Sequence, residues 1–437
     1  MKRGWLNYTL IALLGISFLV LMCPVVSAEG NQVDEADTAW ILVSTALVFI
    51  MSPGVALFYG GMLRKESVLS ILAQCILVIG IVTIVWVVVG YSLAFGQDVS
   101  GVIGNLDHVI LLGVGLQPSG IYATSIPHLA YMIFQCVFAI ITVNLILGAI
   151  AERMRLRALI AFVILWTLIV YVPIAHWVWG NGGWIGKLGA LDFAGGTVVH
   201  IASGVSALAA ALVLGKRYTI GHGIEVPHNI PMVVLGGALL WIGWFGFNAG
   251  SALAANEIAV NAFVVTQVAA ATGAITWGFI SWLHMGRPGV LGLITGGVAG
   301  LVAITPAAGF VDVAGSIIIG IGAGISCYLG IIARRKIAVD DALDVWGVHG
   351  IGGTWGALAT GIFATTAVNS AGNDGLISGN TDLFMAQVIA IISVWVYSFV
   401  MTFVLMKMIG LFTQIRLTKD EERIGADIIQ HGESAYS

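Results

Sequence analysis

Long apolar stretches recur along the chain, separated by short polar connections. About 20 mostly apolar residues cross the hydrocarbon core of a bilayer as a helix. Uninterrupted stretches near that length predict an all-α polytopic membrane protein with eleven transmembrane helices, and they exclude a β-barrel, whose strands would alternate. The predicted spans are 38–60, 67–95, 124–150, 158–178, 193–214, 230–254, 258–284, 289–305, 312–333, 345–367 and 383–409.

The first residues have the pattern of a secretory signal peptide. Lys2 and Arg3 precede an apolar run at 10–22, and small residues end the segment at Ala28. A basic start, an apolar centre and a small-residue cleavage site are typical of signal peptides. We therefore predict a signal peptide at 1–28, although an uncleaved first helix fits the same pattern. A membrane domain at 29–409 and a cytoplasmic tail at 410–437 would follow.

Basic residues predict the orientation of the spans. Cytoplasmic loops carry an excess of Lys and Arg. With the mature N-terminus outside, only Lys187 falls in an outer loop, so we predict a multi-pass protein of the inner or plasma membrane with a cytoplasmic C-terminus. The basic residues of the predicted inner loops and tail are Arg64, Lys65, Arg153, Arg155, Arg157, Lys216, Arg217, Arg287, Arg334, Arg335, Lys336, Arg416, Lys419 and Arg423.

The first ten spans divide into five plus five, which suggests an inverted repeat followed by a separate eleventh helix. A short motif that occurs in both halves of the sequence agrees with this division. Ala-Leu-Asp ends at Asp192 before His200, and Ala-Leu-Asp ends at Asp344 before His349. The fifth and tenth spans would run in opposite directions, as an inverted repeat requires.

The amino-acid composition supports a membrane location and argues against several other classes of protein. Only 9% of the residues are charged, whereas soluble domains carry about 25%. The 57 glycines, with Gly-x-x-x-Gly pairs at 246/250, 296/300, 320/324 and 352/356 among them, suit closely packed membrane helices. The four cysteines form no metal or disulfide pattern, and a net charge of −4 gives no sign of nucleic-acid binding.

Two histidines lie inside predicted spans, where an ionisable residue indicates function. His200 and His349 occupy matching places in the repeat. They could meet at the midplane and line a narrow pore as neutral imidazoles, or they could be two separate core histidines. Asp192, at the start of the fifth span, could be a helix N-cap or a functional carboxylate, and the spacing favours neither.

Aromatic side chains mark three predicted helix faces. Phe134 and Phe138 share one face at spacing i, i+4. Trp244, Phe247 and Ser251 share another, with Asn248 beside it. Trp177 and Trp179 end the fourth span. Trp177 is expected in the aromatic belt of the membrane, whereas a tryptophan beside a hydroxyl can bind a small cation.

Several long motifs resemble those of the Amt/Rh ammonium transporters, and the resemblance covers essentially the whole mature chain in order. Trp179 and Ser251 together favour the Amt branch; Asn181 differs from the glycine common at that place. The matching motifs are Pro53-Gly-Val-Ala-Leu-Phe-Tyr-Gly-Gly61, Ala151-Glu-Arg153, Pro173-Ile-Ala-His176, Asp192-Phe-Ala-Gly-Gly-Thr-Val-Val-His200, Gly215-Lys-Arg217, Gly243-Trp-Phe-Gly-Phe-Asn-Ala-Gly-Ser251, Asp344-Val-Trp-Gly-Val-His-Gly350 and Gly425-Ala-Asp427.

The resemblance implies a homotrimer in the lipid bilayer with one pore per subunit, carrying ammonium and methylammonium. It implies an outer recruitment site with Asp192 behind it, a phenylalanine gate and paired pore histidines. It also implies a PII-type nitrogen regulatory protein as a partner at the cytoplasmic face. The implied residues are Phe134, Trp179 and Ser251 for recruitment, Phe138 and Phe247 for the gate, His200 and His349 for the pore, and Tyr171, Trp244 and Asn248 as supports.

Two other classes remain open at this point. An ammonium sensor would use the same fold to gate a partner, although sensors usually carry a fused signalling domain. An intramembrane metalloenzyme could use His200, His349 and Asp192, but the sequence has no H-E-x-x-H motif. We predict a transporter that is not an enzyme and needs no metal or other cofactor.

Overall fold

The structure is a computed structural model that describes residues 32–218 and 227–436. The predicted signal peptide at 1–28 lies outside the described residues. Helices dominate the fold, and several of the long ones contain one π-helical turn. The helices are α1 (Glu35–Met62), α2 (Val68–Val85, Trp86–Gly90 and Tyr91–Phe95), α3 (His128–Ile150), α4 (Leu156–Trp166, Thr167–Tyr171 and Val172–Trp179), α5 (Gly196–Ile201 and Ala202–Leu214), α6 (Ile230–Gly250), α7 (Glu257–Met285), α8 (Val290–Ile304), α9 (Val313–Lys336), α10 (Trp346–Gly350 and Ile351–Phe363), α11 (Thr381–Phe412), α12 (Lys419–Ile424) and α13 (Ala426–His431).

Within the described ranges, nine helices are long and apolar enough to cross a membrane. The shorter helices α8 and α10 occupy the predicted eighth and tenth spans. The remaining elements are single turns at Lys65–Ser67, Val109–Leu111, Trp184–Lys187 and Leu376–Ser378, and the strands β1 (Asp98–Val99), β2 (Ile103–Gly104), β3 (Pro118–Ser119) and β4 (Ala123–Pro127).

The predicted third span begins too early. Residues 123–127 form β4, which pairs antiparallel with β3 in a small hairpin, and α3 begins only at His128. Pro127 explains the boundary, because the residue before a proline is pushed away from helical conformation. Hydropathy alone could not separate this apolar strand from the helix that follows it.

A network of ion pairs joins the connections at one end of the bundle, which we call the Arg153 face. Arg64 and Arg217 each pair with Glu152, and Arg217 and Arg153 each pair with Asp340. These residues come from four different connections between helices. The loops that were predicted to be cytoplasmic therefore meet on one face.

The opposite end, which we call the Trp179 face, receives the far ends of both short helices. Pro306, two residues after α8, accepts a hydrogen bond from Phe193 just before α5, and Thr365 after α10 donates to Phe310. The start of α8 lines a cavity on the Arg153 face, and α10 begins at the Arg153 face beside Asp341. Both short helices thus run between the same two faces as the longer ones.

The helices α5 and α10 pack against each other reciprocally, as an inverted repeat requires. Gly204 lies four residues after His200 and abuts the backbone at Gly350, whereas Gly353 lies four residues after His349 and abuts Gly196. A Cβ atom at Gly204 would overlap the Gly350 nitrogen, so this crossing needs glycine.

The structure corrects the register of the repeat. Asp341, not Asp344, stands eight residues before its histidine, as Asp192 does before His200. Asp341 accepts a hydrogen bond at 2.7 Å from the Trp346 N–H at the start of α10, whereas Asp344 pairs with Arg334. The two Ala-Leu-Asp sequences are alike by coincidence. What repeats is an aspartate that caps the following helix, and this is Asp192 before α5 and Asp341 before α10.

The Gly-x-x-x-Gly pairs at 246/250, 296/300, 320/324 and 352/356 each lie against a neighbouring helix, in agreement with their predicted packing role. Cβ atoms at Gly246 and Gly250 would crowd Ser44 of α1, and one at Gly356 would overlap Ala303 of α8.

The tail after α11 folds back onto the Arg153 face. Glu422 accepts from Arg416 at 2.6 Å, and Asp427 accepts from the backbone N–H groups of Leu69 and Ser70 at 3.1 and 2.7 Å. Asp427 thus satisfies free N–H groups in the first turn of α2.

Candidate functional site

The two predicted pore histidines are neighbours in the core of the bundle. The Nδ1 atoms of His200 and His349 lie 3.2 Å apart, and the rings are stacked at 5.3 Å with 26° between their planes. Each ring projects from the π-helical turn that begins its helix. Only one of the two facing nitrogens can carry the hydrogen of this contact, so the neutral rings have opposite tautomers.

The second ring nitrogen of His200 takes no part in the contact with His349. Its Nε2 is buried and has no hydrogen-bond partner among the described residues. A buried polar atom without a partner requires an explanation, and a polar species in a pore would supply one. Across the described ranges no group of three or more His, Cys, Asp or Glu side chains is placed to hold a metal ion.

The two predicted gate phenylalanines are stacked face to face. The ring centroids of Phe138 and Phe247 lie 4.1 Å apart with 19° between the planes, and both rings are buried. Phe247 also approaches His200, with 6.0 Å between ring centroids. The stack therefore lies next to the histidine pair.

The predicted recruitment residues surround the other side of that stack. Trp179 meets Phe138 edge-on at 6.0 Å and 82°, and Phe134 lies 4.9 Å from Phe138. Ser251 is one turn beyond Phe247, and its Oγ donates to the Phe247 carbonyl at 2.9 Å. Because that hydroxyl gives its hydrogen to the backbone, its lone pairs are free to accept one.

The three predicted supporting residues make different contacts. Trp244 stacks on His200 at 5.3 Å and 22° and donates to Thr305 at 2.9 Å, which fixes the indole against the His200 ring. Asn248 donates to Thr266 at 2.9 Å, a link between α6 and α7. Tyr171 is fully buried with ring contacts to Trp86 and Trp166, and none of the described ring contacts joins it to Phe138 or to the histidines.

Asp192 caps the first turn of α5 with both carboxylate oxygens. Oδ1 accepts from the N–H groups of Gly195 at 2.8 Å and Gly196 at 2.5 Å. Oδ2 accepts from the N–H and the hydroxyl of Thr197 and from Val198 N–H. Burial raises the pKa of Asp192 above its usual range, while these hydrogen bonds oppose that rise. The Trp179 indole N–H donates to the Asp192 carbonyl at 2.8 Å, which links the cap to the predicted recruitment residues.

Sequence reasoning placed Trp177 wrongly in the lipid-facing aromatic belt. Its side chain is buried, donates to the Val102 carbonyl at 2.8 Å and packs against Tyr397 at 4.6 Å. The hydrophobicity of a span end does not reveal whether a tryptophan faces lipid or a neighbouring helix.

A cavity of about 890 Å³ opens on the Arg153 face. Its walls include Arg217 and Asp340, which form an ion pair at 2.9 Å. Burial alone would lower the pKa of Arg217 and raise the pKa of Asp340, but the ion pairs reverse both shifts, so both groups are charged. Sequence reasoning counted these residues as loop charges and did not find the cavity, because they come from distant connections.

Comparisons with known proteins agree along nearly the whole chain. The model of the Ammonium Transporter Family matches residues 39–436. An ammonium transporter of Bacillus subtilis is 52% identical over 92% of this chain and 98% of its own length. Ammonium transporter Amt1 of Archaeoglobus fulgidus is 47% identical over 92% of this chain and 100% of its own length.

Solved structures give the same result. The crystal structure of Candida albicans Mep2 superposes with a TM-score of 0.85 and 39% identity, covering 93% of this chain and 91% of that one. Similarity of sequence and of fold thus extends over nearly the whole of the described chain. The chain is a multi-pass membrane protein that belongs to the Ammonium Transporter Family.

Proposed function

We propose that this protein transports ammonium across the cell membrane by binding the cation at the Trp179 face, removing a proton and passing ammonia along the paired histidines. One observation carries the proposal: ring contacts connect Trp179, Phe138, Phe247, His200 and His349 in an unbroken series, with centroid distances of 6.0, 4.1, 6.0 and 5.3 Å. This series has the order of a recruitment site, a gate and a pore.

The recruitment site would select ammonium by its hydrogen-bond donors. Aromatic faces at Trp179 and Phe134 attract a small cation, which alone would not separate ammonium from potassium. The free lone pairs of the Ser251 hydroxyl accept an N–H bond, which ammonium offers and potassium lacks. This chemistry makes Ser251 the residue that discriminates.

The phenylalanine stack would exclude the charged form. An ion moved into an apolar passage loses hydration worth many kcal/mol, whereas a neutral molecule loses far less. Ammonium therefore gives up a proton at or above Phe138 and Phe247, and ammonia continues. The proton passes separately along His200 and His349, whose facing Nδ1 atoms can exchange roles as donor and acceptor.

Uptake of labelled methylammonium into liposomes that hold the full-length protein tests this proposal. We expect uptake with the native chain, and little or rerouted uptake with His200→Ala or His349→Ala while assembly is retained. Potassium flux is measured in the same liposomes, because a pore without titrating groups could pass a hydrated cation. Full rate and selectivity in the double Ala variant would falsify the proton relay, and no uptake by the native chain would favour a sensor.

The proposal also fixes the orientation: the Trp179 face lies outside and the Arg153 face lies in the cytoplasm, in the inner or plasma membrane. The concentration of basic side chains on the Arg153 face supports this. Cysteines introduced at Ser100 and Ser370 should react with an impermeant reagent in intact cells, and those at Arg157 and Arg335 should not. Of the four native cysteines, the three in the described residues, at 75, 136 and 327, are buried and give little background. Reversed labelling would invert the proposed direction of recruitment.

We further propose a homotrimer with a PII-type nitrogen regulatory protein bound to the Arg153 face. The cavity there and the folded tail beside it support a docking role for this surface. Recovery of such a partner by pull-down from ammonium-shocked membranes, together with the mass of the detergent-solubilised assembly, tests both points. A monomeric mass, or no partner in an organism that encodes a PII-type protein, would contradict them.

A further inference from the structure

The ring of His176, at the Trp179 face, uses both of its nitrogens. Nδ1 lies 2.8 Å from the carbonyl oxygen of Ala94, and Nε2 lies 2.9 Å from Oδ1 of Asp98. A carbonyl and an ionised carboxylate only accept hydrogen bonds, so each ring nitrogen has to donate. A histidine with two N–H donors is an imidazolium. The fully buried ring is therefore one half of an ion pair with Asp98.

Asp98 connects this pair to solvent. The hydrogen bond from His176 lowers the pKa of Asp98, desolvation opposes the shift, and the Gly101 N–H and Lys187 lower it further, so the carboxylate is ionised. Lys187 Nζ lies 3.6 Å from Oδ2. The Asp98 side chain is 23% exposed and that of His176 is 0% exposed. The charge of Asp98 also acts on the hydroxyl of Tyr122, whose oxygen accepts a hydrogen bond from the Asn181 N–H at 3.0 Å.

The turn after Trp179 is built directly on the His176–Asp98 pair. A Cβ atom at Gly180 would overlap the His176 ring, and one at Gly183 would overlap the His176 carbonyl oxygen. Gly182 has a φ of +103°, and a Cβ there would lie 2.5 Å from the Asp98 Cβ. Trp179 lies between the helical turn that carries His176 and this glycine turn. The pair therefore sets the backbone position of Trp179 on both sides.

We propose that protonated His176, bonded to Asp98, is a positioning residue that holds Trp179 for ammonium recruitment. This inference rests on the proposed function. A side chain at position 176 that could not donate to both acceptors would leave the Asp98 carboxylate or the Ala94 carbonyl without its hydrogen bond. The end of α4 would then shift relative to α2 and carry the Trp179 indole away from its edge contact with Phe138.

Methylammonium uptake by liposomes, with the apparent affinity and the maximal rate measured separately, tests the inference. We expect His176→Gln to weaken the apparent affinity on the order of tenfold, because a displacement of about 1 Å in a positioned group can cost up to about 100-fold. The maximal rate should change little, because the phenylalanine stack and the paired histidines are left intact.

Three further variants test whether His176 acts through Asp98. Asp98→Asn should weaken the affinity as His176→Gln does, because the ring loses its charged acceptor. The double variant His176→Gln/Asp98→Asn should be no weaker than either single variant, because the two side chains act as one pair. Asp374→Asn is the matched control: this carboxylate is on the same face and hydrogen-bonded to Thr366, and should leave the affinity unchanged.

The outcomes separate this inference from the proposed function. If Trp179→Leu weakens affinity but His176→Gln and Asp98→Asn keep the native affinity, the inference is wrong and the recruitment site stands. If Trp179→Leu leaves affinity unchanged, the recruitment site itself is wrong. A purely structural role for His176 predicts lower thermal stability in His176→Gln with the native affinity, and that result would also overturn the inference.

Discussion

The helices α5 and α10 carry the same sequence pattern but begin at opposite faces of the bundle, α5 at the Trp179 face and α10 at the Arg153 face. In each, an Asp caps the first turn, a histidine follows eight residues later, and a glycine crosses the partner helix four residues after that. The caps differ. The two carboxylate oxygens of Asp192 accept hydrogen bonds from five donors. By contrast, Oδ1 of Asp341 has no hydrogen-bond partner within the described ranges. A repeated backbone therefore does not impose a repeated electrostatic role.

The protonation of the two caps follows from this difference. Burial, and then the neighbouring Asp344, raise the pKa of Asp341 to about 6. Asp192 is also buried, but backbone N–H groups stabilise its charge. We therefore expect a carboxylate committed to structure at the Trp179 face and a carboxyl that titrates near physiological pH at the Arg153 face.

The largest expected effect is that of Asp192→Ala. The substitution leaves four backbone N–H groups and the Thr197 hydroxyl without their acceptor, and each unsatisfied buried group costs about 1–3 kcal/mol. We expect a loss of at least about 4 kcal/mol, measured as thermal unfolding of the detergent-solubilised protein. An Ala variant with native stability would contradict the cap. Asp192→Asn is not a neutral control here, because its amide NH₂ would face donors.

Asp341→Asn should act in the opposite direction. A raised folded-state pKa means that the unfolded chain releases its proton first, so this group lowers stability as pH rises from about 4 to about 6, and the cost stays constant above that range. The variant should be about 2–3 kcal/mol more stable than the native chain at neutral pH, with the gain vanishing towards pH 4. Melting curves across pH measure this, and a gain independent of pH would contradict the assignment.

Gly204→Ala compared with Gly353→Ala tests the helix crossing. A Cβ at Gly204 overlaps backbone at Gly350, whereas one at Gly353 lies 2.9 Å from the Gly196 oxygen and 3.0 Å from the His200 Cβ. Overpacking costs about 1–3 kcal/mol, and we expect the Gly204 variant near the upper end and the Gly353 variant near the lower. Equal losses of stability would show that the two contacts are equally tolerant.

Thr197→Val gives the smallest effect and separates the two roles of Asp192. The variant removes one donor to the carboxylate without changing charge or shape, at a cost of about 1 kcal/mol. If Asp192 only caps α5, the apparent affinity for methylammonium should be unchanged. A weaker affinity in a variant that remains folded would show that the state of the carboxylate reaches Trp179 through the Asp192 carbonyl.

Much of the candidate site was predictable from the sequence because the residues lie at helical spacings. Phe134 with Phe138 and Phe247 with Ser251 were placed on common helix faces, and the structure brings all four to one stack with Trp179. His200 and His349 were expected to meet, and their Nδ1 atoms lie 3.2 Å apart. The repeat match to Asp192 was wrongly assigned to Asp344 instead of Asp341, because the repeated sequence Ala-Leu-Asp ends at Asp344.

The sequence by itself determined the membrane location, the positions of the helices and the residue types of the site, because about 20 apolar residues in a row have few alternatives in lipid and polar exceptions among them are rare. Tertiary structure alone decided how long-range partners meet. Asp98 and His176 are 78 residues apart in the chain, and the burial of Trp177 and the networks of Arg153 and Asp340 depend on which helix lies beside which. Hydrophobic pattern says how often a chain crosses the membrane, but contact, burial and protonation depend on neighbours that the pattern does not specify.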